Sequence, residues 1–521
     1  MRVNNKLVFA LFIFTFAFSV RLWNLNLAGR TWDEPEYVEQ GYKMIELLKA
    51  GKFNDPFFYK TYDHPPLVKY VYGLTAHLDA VGEKKDGIPL LRYDLTYSRL
   101  LSAFVSSLAV VLGMFFGWQF FSRFVGVTAA IILSLIPTFL GFSQLVTTES
   151  FSILLFTACV YLYVLLFEKF SWRKVVLCGI MTGIALEVKQ SNGLLWLLLI
   201  GMYVLHQRFQ KKRKHIMHRQ LFLKTFFSIV AISITVFFLL WPMAILHLPE
   251  IYGRHRELWS VKLSPHPLQV TVSVPEVFFG RLMLTPIFYY LVYFFITTPL
   301  LILGLFGIGA YRALKSRKWH LLILLVWFCV PFILSFYAWR QHGVRYIVQI
   351  YVPMALLAAI SLEIILKKYF QQGWKKLIVV CFLILYLFIP IYILSPYYID
   401  YFNGIVGGTK GVFKSRSFQI GWWGEGIREA GMYIQHHTPQ GAKIGIALSP
   451  SHVFPPIENR FVEKYQENKT YDYVVVNYYN ILREGFDDRQ INKNYDPIYR
   501  VDAGGAILAT VYKRKNLFKS Q

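Results

Sequence analysis

Three carboxylates stand close together in TWDEPEY, residues 31–37, directly after the first apolar run of the chain. They are Asp33, Glu34 and Glu36. A carboxylate at the edge of an apolar run could act as a general base that removes a proton from a hydroxyl. The alternative is that acidic residues near the start of a helix only interact with the positive end of its dipole. Whether other polar residues lie on the same side of the membrane decides between these two interpretations.

Three further segments place polar side chains beside apolar runs. TYDHPPLVKY, 61–70, contains His64 and Lys69, and its two prolines set a rigid entry to the segment that follows. TTES, 147–150, puts Glu149 at the start of another run, and ALEVKQSNG, 185–193, puts Glu187 and Lys189 between two runs. His64 could simply cap a turn, and Glu149 is either an N-terminal helix residue or a second active-site acid. An ionisable pair such as Glu187 and Lys189 is costly at that depth and predicts function, with a structural ion pair as the alternative.

The elements that carry these residues are membrane spans. The chain has 521 residues, of which 55% are hydrophobic and 16% charged, and its mean hydropathy is +0.41. A soluble domain has about 25% charged residues. Runs near the ~20 residues that cross a bilayer predict a polytopic α-helical membrane protein of about eleven spans. They lie at 6–23, 98–118, 124–142, 149–167, 174–188, 191–206, 222–246, 287–310, 320–337, 346–366 and 376–395.

The positive charge indicates how the chain is oriented. The net charge of +25 would suggest nucleic acid in a soluble chain, but here Lys and Arg collect in alternate loops, at 168–174, 207–220, 311–320 and 367–376. The positive-inside rule places these loops and the N-terminus in the cytoplasm. We therefore expect no nucleic-acid partner. The first run is about eighteen residues long and contains Arg21, so we expect an uncleaved span, with a cleaved signal peptide as the alternative. Residues 24–97, 247–286 and everything after 395 are then exoplasmic.

Two domains are predicted. Residues 1–395 form the membrane domain, and EPEYVEQGYKMIELLKAG in its first exoplasmic loop has the pattern of an amphipathic helix. Residues 396–521 have the hydropathy of a small α/β domain, with GEGIREAGMYIQHH as a helix and AKIGIALS, YDYVVVNYY and AILATVYKR as strands. The four cysteines fall inside predicted spans, so neither a disulfide framework nor a Cys-based metal site is expected.

With this topology, WRQHGVRYIVQIYVP, 339–353, places Arg340 and Arg345 outside, against the positive-inside preference. A phosphate ligand would explain them. Carboxylates and cations at a lipid boundary suit the transfer of a sugar from a lipid phosphate. Cations stabilise the phosphate leaving group, so no general acid is needed, and one carboxylate deprotonates the acceptor hydroxyl with inversion at the anomeric carbon.

The ordered motifs WDEPEY, HPPLVK and RYIVQIYVP, with the segments 266–303 and 397–434, resemble phospholipid carrier-dependent glycosyltransferases of the GT-C fold. This superfamily includes the protein O-mannosyltransferases and the lipid A aminoarabinose transferase. The resemblance runs over nearly the whole chain and implies a polyprenyl-phosphate-linked sugar donor and a lipid, glycan or protein acceptor. The chain lacks the YF pair and the trefoil repeats of eukaryotic mannosyltransferases. Both departures argue against protein mannosylation specifically and favour a prokaryotic enzyme of the plasma (inner) membrane.

The resemblance also implies roles for individual residues. Asp33 corresponds to the catalytic base, and Glu34 would position the acceptor or the base. His64, Lys69 and Glu149 would position acceptor and donor. The lipid phosphate would be bound by Lys189, Arg340, Arg345 and Tyr346. No cofactor is required; a divalent cation, held by Glu149 and Asp33 if by any residues, stays open.

One alternative function and one open question about a motif remain. A multi-span carrier or lipid flippase would explain the spans and buried charges, but not the acidic first loop or the C-terminal domain; its ionisable residues should line a path near the bilayer midplane. In GWWGEG, Trp422 and Trp423 are either aromatic anchors at the membrane interface or a surface that stacks on a sugar.

Overall fold

The computed structural model describes residues 2–60, 64–83, 89–209, 217–253, 275–337, 341–447, 451–483 and 488–515. Arg340 and most of the predicted 247–286 loop lie outside these ranges. The helices of the first half are α1 (Arg2–Leu22), α2 (Glu34–Lys49), α3 (Phe57–Lys60), α4 (Leu67–Asp79), α5 (Thr96–Phe120), α6 (Arg123–Leu135), α7 (Pro137–Gln144), α8 (Glu149–Glu168), α9 (Trp172–Val188), α10 (Leu194–Phe209), α11 (Arg219–Leu240) and α12 (Pro242–Leu246).

The second half continues the bundle and ends in a sheet domain. Its helices are α13 (Tyr289–Thr297), α14 (Leu300–Ser316), α15 (Trp319–Cys329), α16 (Leu334–Tyr337), α17 (Tyr351–Tyr369), α18 (Gly373–Leu394), α19 (Gly408–Ser415), α20 (Ile427–His437), α21 (Tyr478–Arg483) and α22 (Asp488–Asn494). The strands are β1 (Ala80–Glu83), β2 (Pro89–Leu91), β3 (Pro275–Phe278), β4 (Arg281–Leu284), β5 (Lys443–Ala447), β6 (Phe461–Lys464), β7 (Tyr473–Asn477), β8 (Tyr495–Ala503) and β9 (Ala506–Arg514).

The chain is a multi-pass membrane protein. Within the described residues, six helices are long and apolar enough to cross a bilayer, or eight if each of two bent helix pairs counts as one span. Each of the eleven predicted runs coincides with a helix or a broken helix, but several of these are short, so the count of eleven stays a prediction.

Two of the runs that hydropathy predicts as continuous spans are bent pairs of helices in the structure. α6 and α7 meet at 68°, and α13 and α14 meet at 118°. Pro137 is at the start of α7, and Pro299 directly precedes α14. Proline has no N–H to donate and disfavours helical geometry in the residue before it, so each helix ends and a new one begins.

The segment between α1 and α5 forms a layer of amphipathic helices on one end of the bundle. The predicted helix is confirmed as α2, with Pro35 in its first turn and Gly51 after its end. α2 packs along α4, and their apolar sides bury Tyr37, Val38 and Tyr72 against Val146 and Val188. The layer therefore rests on the start of α8 and the end of α9.

The C-terminal domain has a five-stranded sheet of order β6-β5-β7-β9-β8. β5 is parallel to β6 and β7, whereas β9 is antiparallel to β7 and β8. The three predicted strands are confirmed as β5, β7 and β9, and the predicted helix is confirmed as α20. The boundary at 395/396 stays a prediction, because one hydrophobic core runs from the bundle through Trp423 to Ile444 and Val475.

Candidate active site

Arg345 lies at the centre of a cluster of four charged side chains. Its Nη1 donates to Asp33 Oδ2 at 2.7 Å, and its Nε donates to Glu149 Oε1 at 3.0 Å. Lys189 Nζ donates to the same Glu149 oxygen at 3.1 Å. Two carboxylates and two cations from four distant parts of the sequence thus form one connected network.

Exposure distinguishes Asp33 from the other members of the cluster. The Asp33 side chain is 34% exposed, whereas those of Arg345, Lys189 and Glu149 are 5%, 6% and 1% exposed. Within the described part of the chain, Arg345 supplies the one hydrogen bond to the Asp33 carboxylate. Asp33 is therefore the accessible carboxylate of the cluster.

Helix ends hold these side chains in place. Asp33 precedes the first residue of α2, and Glu149 is the first residue of α8. Lys189 follows the last residue of α9, and Arg345 opens a short 3-10 helix, Arg345–Ile350, that leads into α17. The basic connection between α8 and α9 is consequently at the opposite end of these helices, and the orientation of the two ends relative to the membrane stays a prediction.

Glu34 differs sharply from its neighbour Asp33. It is fully buried and forms a bidentate pair with Arg99, from Nε to Oε1 at 2.8 Å and from Nη2 to Oε2 at 2.6 Å. The backbone N–H groups of Thr31 and Val146 donate to the same two oxygens at 2.8 and 3.0 Å. Because no oxygen of Glu34 is exposed, this arrangement supports positioning of Asp33 rather than contact with an acceptor.

His64 and Lys69 lie in the neighbouring α2–α4 layer. The His64 ring stacks on Tyr37 with a centroid distance of 5.7 Å, and Tyr37 is one helical turn from Asp33. Lys69 is fully buried on the side of α4 that faces α2. Their predicted roles in positioning acceptor and donor stay predictions.

Tyr346 and Trp423 place aromatic rings against the two cations. Lys189 Nζ lies 4.5 Å from the Tyr346 ring centroid, and Gln341 Nε2 donates to the Tyr346 hydroxyl at 3.2 Å. The guanidinium carbon of Arg345 lies 4.4 Å from the Trp423 ring centroid. Contacts of this kind stabilise cations where water is excluded.

Of the two interpretations of the paired tryptophans, the structure does not support interfacial anchors, and stacking on a sugar stays a prediction. Trp422 and Trp423 are 6% and 1% exposed, because the GWWGEG segment packs onto the bundle. Trp422 stacks on His342 with 4.3 Å between centroids and 7° between planes. The C-terminal domain therefore covers the charged cluster directly.

Glu187 and Lys189 do not pair with each other. Lys189 pairs with Glu149, and both carboxylate oxygens of the buried Glu187 have no hydrogen-bond partner in the described structure. As for a metal, a cation between Asp33 and Glu149 would have to displace Arg345. The described residues contain no group of three or more His, Cys, Asp or Glu side chains arranged to hold one.

Sequence reasoning missed Arg99, Glu276 and the contact of Trp423 with Arg345. A signal existed for Arg99, since a lone arginine at the start of an apolar run requires a partner. Glu276 accepts a hydrogen bond from the backbone N–H of His342 at 2.8 Å, three residues before Arg345. Nothing in its local sequence distinguishes it from a loop carboxylate.

Comparison with known proteins agrees with this architecture. Residues 63–241, about a third of the chain, match the family model described as dolichyl-phosphate-mannose-protein mannosyltransferase. A search of curated protein sequences gives no match.

Two solved structures are similar over nearly the full chain. The archaeal oligosaccharyltransferase AglB from Archaeoglobus fulgidus, in complex with an inhibitory peptide and a dolichol-phosphate, is 14% identical with a TM-score of 0.51, over 100% of this chain and 75% of AglB. ArnT from Cupriavidus metallidurans, bound to undecaprenyl phosphate, is 13% identical with a TM-score of 0.51, over 96% of this chain and 97% of ArnT. The resemblance to the GT-C fold is thus confirmed at the level of the fold.

Proposed function

We propose that this chain is a membrane glycosyltransferase that moves a sugar from a polyprenyl-phosphate donor to an acceptor hydroxyl, with inversion. The observation that carries the proposal is the position of the accessible Asp33 carboxylate, 2.7 Å from the guanidinium of Arg345 and joined through it to Glu149 and Lys189. A base therefore stands beside two cations that can receive a phosphate. AglB and ArnT, which share the fold, were solved with dolichol-phosphate and undecaprenyl phosphate.

The reaction follows from this arrangement. The acceptor oxygen attacks the anomeric carbon, its proton passes to Asp33, and the bond from the anomeric carbon to the phosphate oxygen breaks. The leaving phosphate takes the electron pair and gains one negative charge, which Arg345 and Lys189 stabilise. Glu149 holds both cations in place. Such displacement from the face opposite the leaving group inverts the anomeric centre.

The charges of the cluster balance over this reaction. Before reaction, two carboxylates and two cations sum to zero beside a phosphodiester of charge −1. After reaction, a protonated Asp33 leaves the cluster at +1 beside a phosphate monoester of about −2. Arg345 keeps Glu149 as a partner but loses the charge of Asp33 at the moment when the phosphate gains charge, so its Nη1 group can serve Asp33 and the phosphate in turn.

The position of the cluster supports an enzyme rather than a carrier. Glu149, Lys189 and Arg345 lie at helix ends, under the α2–α4 layer and the C-terminal domain. A carrier would line a central path near the midplane with such residues. We further propose that the site faces the exoplasmic side of a plasma membrane. The sugar, such as mannose, another hexose or aminoarabinose, is to be found by experiment.

A donor panel tests the proposal. Purified protein in detergent is supplied with polyprenyl-phosphate-linked sugars and a lipid, glycan or peptide acceptor, and free polyprenyl phosphate is measured. We expect release from one donor class together with a product of inverted anomeric configuration. A product that keeps the donor's configuration, or movement of an intact donor across a vesicle membrane without cleavage, would overturn it.

A further inference from the structure

The turn directly before Arg345 has an unfavourable backbone conformation. His342 and Gly343 have φ values of +57° and +59°, so two consecutive residues are left-handed and one of them has a side chain. The N–H of Arg345 donates to the carbonyl oxygen of His342 at 3.3 Å, so this turn connects directly to the arginine. Such a conformation persists only where its surroundings hold it.

A buried carboxylate from another part of the chain holds this turn. Glu276, on β3, is 1% exposed, and its Oε1 accepts the backbone N–H of His342 at 2.8 Å. Its Oε2 accepts the hydroxyl of Tyr289, and the oxygen of that hydroxyl accepts the backbone N–H of Gly343 at 3.0 Å. Both backbone N–H groups of the turn are therefore connected to one carboxylate, that of His342 directly and that of Gly343 through the Tyr289 hydroxyl.

Two aromatic rings close the turn from its other sides. Trp422 lies flat on the His342 ring, and a side chain at Gly343 would lie 3.3 Å from the ring of Tyr293. The turn is thus enclosed by β3, α13 and the C-terminal domain. None of the groups that enclose it belongs to the four-charge cluster. The hydrogen bonds of Glu276 and Tyr289 reach Arg345 through the backbone of the turn, whereas Trp422 also packs on Trp423, whose ring lies on Arg345.

We propose that Glu276 is a positioning residue for the donor phosphate: through the His342–Gly343 turn it fixes where Arg345 presents its guanidinium. This rests on the proposed function, because it takes Arg345 to be the phosphate ligand. A positioning role for Glu276 makes β3, which precedes α13, part of the donor site. Substitution of Glu276 is therefore expected to weaken donor binding, although Glu276 itself contacts neither donor nor Asp33.

The test is the KM for the donor, and inhibition by free polyprenyl phosphate, in Glu276→Leu, Glu276→Gln and Tyr289→Phe. Glu276→Leu removes both acceptors, and we expect donor KM to rise roughly ten- to a hundredfold, because small misplacements of a binding group cost this much. Glu276→Gln keeps one oxygen for the His342 N–H and is expected to restore most of the affinity. Tyr289→Phe removes only the acceptor for Gly343, and a smaller increase is expected; this variant also serves if Glu276→Leu does not fold.

A matched control and a double variant separate positioning from general stability. Glu429 on α20 also accepts hydrogen bonds from two tyrosine hydroxyls, those of Tyr397 and Tyr499, but lies away from the turn. Glu429→Leu should leave donor KM unchanged. In an Arg345→Gln background, Glu276→Leu should raise donor KM no further, since its effect passes through Arg345.

Each outcome bears on one proposal. A full additional increase in the double variant, or an equal increase in Glu429→Leu, would overturn the positioning role of Glu276. If the unmodified protein cleaves no donor of the panel, the proposed function fails instead. A protein that transfers sugar and loses activity in Asp33→Asn, yet is indifferent to Glu276→Leu, would contradict this inference alone.

Discussion

Asp33 and Glu34 are adjacent acidic residues whose surroundings give them different tasks. Asp33 is partly exposed and bound to Arg345, whereas Glu34 is buried and saturated by Arg99 and two backbone N–H groups. The pair in sequence thus becomes one accessible carboxylate and one that fixes the start of α2. TWDEPEY predicts a catalytic carboxylate, but which of the two is exposed depends on Arg99, 65 residues from Glu34.

Substitution of Glu34 tests this division. Glu34→Gln leaves the charge of Arg99 buried without its partner, and we expect a loss of about 3–5 kcal/mol in the free energy of unfolding. Glu46→Gln is the control, because Glu46 is 42% exposed and pairs with Lys49 at the surface. There the expected change is below about 1 kcal/mol. Equal losses in the two variants would contradict the buried role of Glu34.

At the scale of elements, the close crossing of α2 and α4 keeps Asp33 over the bundle. A Cβ atom at Gly41 of α2 would overlap the carbonyl oxygen of Lys69, and one at Gly73 of α4 would overlap the backbone of Gly41. The two helices therefore approach each other through their glycines. Sequence could predict α2 from its proline, acidic first turn and glycine stop, but not its partner, since the crossing depends on long-range packing.

Gly41→Ala should therefore separate α2 from α4 and displace Asp33. We expect kcat to fall roughly a hundredfold, since the base must remain within hydrogen-bond reach of the acceptor. Gly307→Ala on α14 is the control, because nothing lies within 4 Å of the atom it would add. If Gly41→Ala turns over as fast as Gly307→Ala, the crossing of α2 and α4 does not determine the position of Asp33.

Breaks within spans mark another limit of prediction at this scale. Hydropathy measures apolar content only, so 124–142 and 287–310 each read as one run. In the structure each is a bent pair of helices, and the second turns by 118°. Pro137 and Pro299 indicated where a break could fall, but the angle is set by what each half packs against.

At the scale of the whole molecule, the C-terminal domain and the bundle build one site. The hydrophobic core is continuous between them, and Trp423 lies on Arg345. The sequence could predict a separate α/β domain with the right helix and strands. It could not predict that GWWGEG packs against Arg345, because paired tryptophans after a last span equally fit an interfacial position.

Trp423→Leu tests this closure. Loss of the ring beside Arg345 should raise donor KM by about 2- to 30-fold, as expected for a cation–π contact worth roughly 0.5–2 kcal/mol. Trp423→Phe retains an aromatic face and should lie closer to the unmodified protein. Trp172, half-exposed at the start of α9, supplies the control variant Trp172→Leu. If Trp172→Leu raised donor KM as much, the domain would not contribute to the site.

Two acidic residues between the C-terminal domain and the bundle are expected to make the stability of the protein depend on pH. Burial raises the pKa of Glu425 from 4.5 to about 7, and burial together with nearby Glu425 raises the pKa of Asp400. The folded state then binds more protons than the unfolded state between those values, so stability should fall as pH rises from about 4.5 to 7. Glu425→Gln should flatten the dependence of Tm on pH in this window; an unchanged slope would contradict the assignment.

The central claim, that Asp33 is the base beside a phosphate-binding Arg345, is tested by separating binding from chemistry in Asp33→Asn. Donor affinity and single-turnover rate are measured side by side, with Glu36→Gln, exposed on the same segment, as the control. We expect Asp33→Asn to bind donor as tightly as the unmodified protein or more tightly, because Arg345 Nη1 loses its charged partner, while the rate falls about 10²–10⁴-fold. An undiminished rate in Asp33→Asn, or parallel loss of binding and rate, would contradict the account.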